Sequence, residues 1–523
     1  MVNIPIAPIE SRASVASMSW ETEIAQLRAR EALAEKMGGE EKLARQHGQG
    51  KLDARERLKR LLDPGSFREI GKIAGKGSYD AAGELADFSP SNFIFGRGNV
   101  NGRPVVASAD DFTVRGGAAD AALHRKFIQC EKMAHSMGLP LIRMIDGTGG
   151  GGSVKTLEDT GYTYVPVTPS WDDIIKNLET VPVVALALGP TAGMGAARTV
   201  ASHYSIMVKG LSQIFAAGPV VAAQIGEELS KEQLGGSEIH ARNGVVDEEV
   251  ANEDEAFAYA RAFLSYLPSQ VGQHAARTVP HDPVDRRDEK LLSIVPREDK
   301  QVYSMRAVMA SVFDSGSVFE MGRRWGRAAI TAFARLDGWP VAVLASDPTY
   351  LGGSWEALTS QKVKRFVELA GQFQMPVVHL VDNPGFMIGL EAERSGTIRY
   401  GVEAMNAVYK ATVPWASVIV RRAYGIAGSA MSNGERFQYR FAWPSGDWGS
   451  LPIAGGLEAA YKSEIAAADN PAAKLEEIKA RLNAVTSPFR TAEKFNVEDI
   501  IDPRDTRPLL CEFAGLAWAK LGA

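Results

Sequence analysis

Residues 105–108, 139–145 and 181–188 are short apolar runs, and 341–344, 376–381 and 413–420 are three more. Each has the length of a strand and is bounded by Gly, Pro or Asp, which predicts strands separated by turns. Between them, 119–137 and 354–373 space their apolar positions as a helix does. The chain therefore reads as α/β, with strand, helix and strand in succession. Such an order demands right-handed parallel crossovers, and loops that carry function are expected at the carboxyl ends of the strands. The runs at 139–145 and 376–381 each end on an aspartate, Asp146 and Asp382, with glycines close behind.

The two sets of runs are copies of one module. At an offset of 236 positions, Gly102-Arg103-Pro104-Val105 falls on Gly338-Trp339-Pro340-Val341, and Asp111, Thr113, Gly116, Gly117, Lys126, Pro140, Asp146 and Gly149 fall on Asp347, Thr349, Gly352, Gly353, Lys362, Pro376, Asp382 and Gly385. Further upstream the offset is 251, with Asp63, Gly65, Ser66 and Glu69 on Asp314, Gly316, Ser317 and Glu320, so the first copy carries about 15 extra residues within 72–101. Turn chemistry alone does not hold one register over that length. The expected units are 1–60, a charged helical arm packing on a neighbour; 61–272; and 273–523, the last boundary marked by Pro268, Pro280, Pro283 and the charged run 285–290.

Composition narrows the function classes. With 523 residues, 45% apolar and 23% charged, the chain has room for two to four globular domains. A net charge of −5, without a long basic run, speaks against a nucleic-acid footprint or a polybasic membrane patch. Cys130 and Cys511 stand 381 residues apart in no metal-ligand spacing, so neither a disulfide framework nor a zinc ribbon is expected. No uninterrupted stretch of 18 apolar residues occurs, and the first 20 residues lack the pattern of a secretory signal. The expected setting is a bacterial cytoplasm, with no membrane or nucleic-acid partner and no metal.

The chemistry is expected in the small-residue turns that follow the strands at 181–188 and 413–420. These read Gly189-Pro190-Thr191-Ala192-Gly193-Met194-Gly195-Ala196 and Arg421-Arg422-Ala423-Tyr424-Gly425-Ile426-Ala427-Gly428-Ser429. Small residues let a backbone approach a ligand, and a helix start leaves amide donors that can hold an oxyanion or thioester oxygen. The same glycines also suit close helix–strand packing, and both uses stay open. No GxxxxGKS or GxxxxGKT loop and no GxSxG elbow occurs, the glycine run at 147–152 lacks the rest of a dinucleotide fingerprint, and the histidines are scattered. His240 reads as a loop or capping residue and His124 as a solvated one. The site reads as one built from backbone donors.

Several segments resemble one family. The opening stretch 50–58, Gly-Lys-Leu-Asp-Ala-Arg-Glu-Arg-Leu, continues through Leu62-Asp63-Pro64-Gly65-Ser66-Phe67. With it go Asp111-Phe112-Thr113-Val114 and Gly116-Gly117, Gly226-Glu227-Glu228, Leu234-Gly235-Gly236 with His240, and Val381-Asp382-Asn383-Pro384-Gly385-Phe386. In this order, from about residue 30 to the C-terminus, they resemble the biotin-dependent acyl-CoA carboxyltransferases, the β subunits of propionyl-CoA-type carboxylases and their transcarboxylase and decarboxylase relatives.

The resemblance implies two tandem crotonase-like (ClpP/crotonase ββα-spiral) domains and a homohexamer, with each active site between the first domain of one subunit and the second of another. It implies an acyl-CoA substrate mainly on the first domain and carboxylated biotin, borne by a separate carrier, mainly on the second. The chain has no biotinylation motif and no room for an ATP-grasp domain, so a biotin carboxylase and biotin carboxyl carrier partner is implied. The oxyanion pairs would be Gly193 with Met194 for the thioester enolate and Ile426 with Ala427 for the biotin ureido oxygen. Met194 and Ile426 stand where glycine is usual. Gly149 and Gly150 occupy a segment that carries an arginine in relatives, and Pro348, Gly352 and Gly353 match a segment associated with acyl-CoA.

Ser429, after Gly428 in place of a bulky aromatic, sits where relatives set acyl specificity, which points to an unusual acyl group. Trp415, Trp443 and Trp448 would line the pocket or the core. Arg55 and Arg57 are expected to pair at the surface with Glu56 and Asp53 rather than meet CoA phosphates. A decarboxylase or transcarboxylase using the same site, and a non-catalytic scaffold subunit with its holes closed by Met194 and Ile426, are the alternatives.

Overall fold

A computed structural model describes residues 19–118, 121, 123–147, 157–158, 161–163, 165, 167–168, 170–298, 300–431, 436–437 and 439–523. Its first sheet contains β1 (Arg68–Glu69), β4 (Phe93–Val100), β5 (Arg103–Asp110), β6 (Leu141–Gly147), β7 (Val183–Ala192), β8 (Tyr204–Val208), β9 (Gln213–Phe215) and β10 (Glu248–Val250). Between β1 and β4 a separate hairpin, β2 (Gly75–Tyr79) with β3 (Leu85–Pro90), accounts for the extra residues of the first copy. The second sheet contains β11 (Phe319–Met321), β12 (Ala329–Leu336), β13 (Trp339–Ser346), β14 (Val377–Asn383), β15 (Trp415–Tyr424), β16 (Tyr439–Ala442), β17 (Asp447–Gly449) and β18 (Asp499–Ile500).

The spatial orders are the same: β1-β4-β5-β6-β7-β8-β10 and β11-β12-β13-β14-β15-β16-β18. In each sheet the first pairings are antiparallel and the later ones parallel. The end of β7 leaves β8 to pair with β9, and the end of β15 likewise leaves β16 to pair with β17. Strands β6 and β14 are buried at every position, as sheets covered on both faces require. The fold is thus α/β with two similar domains, crotonase-like in architecture.

Turn chemistry repeats with the strands. Asp63 accepts from the backbone N–H groups of Asn101 (3.0 Å) and Gly102 (2.7 Å), and Asp314 from those of Asp337 (3.2 Å) and Gly338 (2.8 Å). The turn residues Asn101 and Asp337 both have positive φ, 51° and 52°, a conformation that Asn and Asp tolerate better than most residues. The two halves share a continuous core in which Tyr204 lies 5.7 Å from Phe319 and Phe263 lies 5.9 Å from Phe333. Across the same seam Arg365 Nη2 donates to Asp247 at 2.9 Å.

Two expectations, both of helix length, change. The first amphipathic helix runs over His124–Met137 and the second over Ala357–Gln372, both shorter than their patterns, because Leu123 takes positive φ and Glu356 is extended just ahead of them. The N-terminal arm packs on its own chain. It breaks at Gly38-Gly39 into helices Glu21–Glu35 and Glu40–Gly48, and Gly38 N donates to Thr113 Oγ1 at 3.0 Å. Helix Ala54–Leu61, opened by a capping box between Asp53 and Glu56, buries Leu58 and Leu61 in the core of the first sheet.

Candidate functional site

The repeated aspartates mark the place where each sheet departs from regular pairing. Between β6 and β7 the register shifts between Ile145 and Gly147, and between β14 and β15 it shifts between Val381 and Asn383. Such irregularities redirect strand ends and gather next to functional sites. A glycine lies directly on each: a Cβ at Gly117 would stand 2.5 Å from Asp146 O, and one at Gly353 2.5 Å from Asp382 O. The loops bearing these glycines are tied by the same device, since Thr113 Oγ1 donates to Asp111 at 2.6 Å and Thr349 Oγ1 to Asp347 at 2.5 Å.

Both aspartates are fully buried, and each is matched by cations from elsewhere in the chain. Asp146 receives Arg57 Nη1 at 2.9 Å, with Lys51 Nζ at 2.5 Å. Burial pulls the Lys51 ammonium pKa down, against the attraction of Asp146. For Arg57, burial acts in the same direction but is outweighed by Asp146 and Glu253, and its pKa is raised. Asp382 instead receives Arg421 Nε (3.1 Å), Arg422 Nε (2.6 Å) and Tyr303 Oη (3.1 Å). Burial, then the Asp382 charge, drives the Tyr303 phenol well above its ordinary pKa, so it stays a donor.

The small-residue turns lie next to these carboxylates. Gly193, with φ 58°, ends β7 and opens helix Met194–Val200, and Gly425, with φ 60°, ends β15 and opens helix Gly425–Ser429. Neither helix has a side-chain cap, so first-turn N–H groups lack intrahelical partners. In the strand registers Leu141 pairs with Val183 and Val377 with Trp415, so counting along β7 and β15 puts Gly193 on Gly425 and Met194 on Ile426. Met194 lines a cavity of about 130 Å³ together with Gly117, Gly147 and Gly195. Ile426 is half exposed, whereas Ala427 is buried.

Gly428 is used in packing, its absent Cβ leaving room for the Ala423 backbone, which would stand 2.6 Å away. The Ser429 hydroxyl donates to Ile426 O at 2.8 Å. A second cavity, of about 920 Å³, opens beside Tyr424, Arg421, Arg422 and Trp443.

The other expected site residues divide. Pro348 is buried, and Gly352 keeps its positive φ of 63° while its carbonyl accepts from Arg422 Nη2 at 2.7 Å. Gly149 and Gly150 lie outside the described residues. Trp415 is core, and Trp443 is fully buried with its Nε1 donating to Thr506 at 2.9 Å, while Trp448 is partly buried. His240 Nε2 donates to Ile214 O at 2.9 Å from within helix Ser237–Asn243. His124 is exposed at its helix start and lines the smaller cavity.

The pairing expected of Arg55 and Arg57 is corrected. Arg55 donates to Glu69 at 2.8 Å, and Arg57, with no solvent exposure, donates to Glu253 at 2.7 Å as well as to Asp146. Sequence reading also passed over Tyr303, Arg421 and Arg422 as partners of Asp382, and over a mostly buried pair, Asp110 with Arg198, beside Met194. The Arg421-Arg422 doublet inside an apolar strand was the available signal for the first set.

Comparison with known proteins agrees with this architecture. The family described as Carboxyl transferase domain matches residues 45–522. The chain belongs to that family, the carboxyltransferases. Among its relatives, the methylmalonyl-CoA carboxyltransferase 12S subunit of Propionibacterium freudenreichii subsp. shermanii is 34% identical over 493 residues, covering 94% of this chain and 93% of that one. The propionyl-CoA carboxylase carboxyltransferase subunit of Haloferax mediterranei is 32% identical over 499 residues, covering 94% and 95%. A crystal structure of transcarboxylase 12S, described as a hexamer assembly with hydrolyzed methylmalonyl-coenzyme A bound, matches with a TM-score of 0.85 at 32% identity over 96% of both chains. Among the described residues, no helix is long and apolar enough to cross a membrane.

Proposed function

We propose that this chain is the carboxyltransferase (β) subunit of a biotin-dependent acyl-CoA carboxylase, acting as a cytoplasmic homohexamer with a biotin carboxylase and carrier partner. The observation that carries the reading is the pair of equivalent turns at Gly193 and Gly425. Each sits at the end of a central strand, next to a buried aspartate, in one of two copies of the same sheet. Residues 61–272 and 273–523 are the two halves in this reading.

In the first half, the N–H groups of Gly193 and Met194 hold the thioester oxygen as the acyl α-carbon loses its proton. Donors already in place cost no reorganisation when that negative charge develops, and each contributes about two to three powers of ten in rate. Gly117, Gly147 and Gly195 border the cavity next to Met194, which gives an acyl group room there. In the second half, the N–H groups of Ile426 and Ala427 hold a ureido oxygen. Carboxybiotin, when bound, supplies the carboxyl group and a nitrogen able to take up the α-proton. The second half fits such a group, because an uncapped helix start stands beside the larger cavity that Tyr424 lines. Asp382 and its arginines fix the strand end from which that turn leaves.

The test is reconstitution. Purified protein mixed with a biotinylated carrier, a biotin carboxylase, ATP and labelled bicarbonate is expected to fix label only when an acyl-CoA is present. Absence of fixation and of the reverse decarboxylation across short, branched, hydroxylated and long acyl-CoAs would overturn the proposal in favour of a scaffold subunit.

A further inference from the structure

The two halves serve as each other's control, and in one respect they differ next to the active turn. Asp110 ends β5, and its counterpart at the end of β13 is Ser346. Both do the same local work: the N–H of Asp146 donates to Asp110 Oδ2 at 3.4 Å and the N–H of Asp382 to Ser346 Oγ at 3.0 Å. A carboxylate is therefore more than that position needs. Arg198, four residues beyond Met194, corresponds to Ala430, which is fully buried. The first half thus carries a buried cation and a partly buried anion where the second has a methyl and a hydroxyl.

The pair is incompletely matched. Arg198 is 6% exposed, and its Nη1 reaches Asp110 only at 3.4 and 3.5 Å. Among the described residues its Nε and Nη2 have no acceptor, and both atoms are closed off with almost no accessible surface. The guanidinium stands over the rings of Phe127 (4.5 Å) and Phe93 (5.5 Å), and all four side chains line the 130 Å³ cavity that Met194 also lines. That volume equals about four water molecules at ~30 Å³ each, enough for the end of a short acyl chain. Leaving buried donors unpaired is costly, so the protein keeps such a pair at a cavity wall only at a loss unless something else completes it.

We infer that Arg198 and Asp110 form a specificity site for an oxygen on the acyl group, and that the preferred substrate is a short hydroxyacyl-CoA. This rests on the function proposed above. A hydroxyl is the group that suits both partners, since it accepts from the guanidinium and donates to the carboxylate. A second carboxylate would meet repulsion from Asp110, and a hydrocarbon would leave the donors of Arg198 unpaired. Burial, opposed by Arg198, already raises the Asp110 pKa, in keeping with a place that tolerates one negative charge poorly and would tolerate two still less.

The experiment compares 3-hydroxypropionyl-CoA with butyryl-CoA, which has a methyl in place of the hydroxyl, in the reconstituted holoenzyme. The wild type is expected to favour the hydroxyacyl ester by about a hundredfold or more in kcat/KM, because a site built for a hydroxyl rejects the analogue lacking it. The double variant D110S/R198A installs the residues that the second half already accommodates. It is expected to elute as the same oligomer and to bring the ratio below tenfold through loss on the hydroxyacyl ester.

Calorimetric binding of the two CoA esters to the hexamer, without carrier or ATP, is expected to show the same preference and the same loss. Turnover with no preference for the hydroxyacyl ester, or a preference that the double variant leaves intact, overturns this inference while the carboxyltransferase reading stands. No turnover with any ester, alongside a binding preference that the variant abolishes, sinks the carboxyltransferase reading and leaves the site.

Discussion

Arg57 Nη1 donates to the Asp146 carboxylate at 2.9 Å across 89 residues of chain, and neither side chain is exposed. The contact ties helix Ala54–Leu61 to the end of β6, where the register shift lies. The other edge of the guanidinium is held by Glu253, and Nη2 donates to Leu188 O at 2.9 Å, so every nitrogen has a partner. Removing it would leave two buried carboxylates short of a cation. Arg57→Leu is therefore expected to cost about 3–5 kcal/mol, the usual loss when one partner of a buried pair is deleted. Urea denaturation of the purified protein measures it, and a change under about 1 kcal/mol would remove the pair from the account of stability.

The oxyanion reading makes a sharper demand on Ala427. Proline there deletes an N–H while fitting the first turn of a helix. Ala427→Pro is expected to lower carboxylation by two or more powers of ten, with acyl-CoA binding and the oligomer retained. Rates within about threefold of wild type would exclude that amide from the chemistry.

Glycine positions separate conformation from contact. At Gly272, φ is 84° and nothing lies within 4 Å of an added Cβ, so alanine should cost only the left-handed conformation, about 1–2 kcal/mol. At Gly353, φ is 87° and the Cβ would also press on Asp382 O at 2.5 Å. Gly353→Ala is expected to cost more than Gly272→Ala and to reduce turnover as well, because the displaced strand end carries Asp382. Equal losses in denaturation and no kinetic defect would show that the close approach is unimportant.

His203 gives the stability a dependence on pH. Its Nδ1 accepts from Val183 N at 3.0 Å and its Nε2 donates to Leu178 O at 3.0 Å, an arrangement only the neutral ring can make. Burial lowers its pKa from 6.5 to about 4. The unfolded chain therefore takes up a proton before the folded one does. The stability this residue gives is full above pH 6.5 and is lost as pH falls toward 4, by up to about 3 kcal/mol. Denaturation midpoints at pH 7.5 and 5 are expected to converge in His203→Asn, and an unchanged difference would assign the acid sensitivity elsewhere.

Much of the fold was legible because it rests on local rules. Strand-length apolar runs, glycines at positive φ such as Gly193 and Gly425, and the doubled Asp-x-Thr and Asp-glycine punctuation all depend on neighbouring residues, so an internal repeat displayed them twice. The roles of Arg55 and Arg57 were not legible in the same way. Charged, helical segments look solvated until their partners are known, and Glu69, Glu253 and Asp146 are remote in the chain from the arginines they bind.

The sequence by itself determined that one α/β module occurs twice and where its turns fall. Periodicity and steric limits on φ are settled within a few residues. Only the tertiary structure decided which charges would lose their water. It placed Arg57 against Asp146 and gave Gly428 to packing. It also set Arg198 beside Asp110 at the wall of the cavity that Met194 lines, where the second half has Ala430 and Ser346. Burial and long-range encounter depend on how whole elements pack, and it is burial that makes a charge depend on the partners it meets.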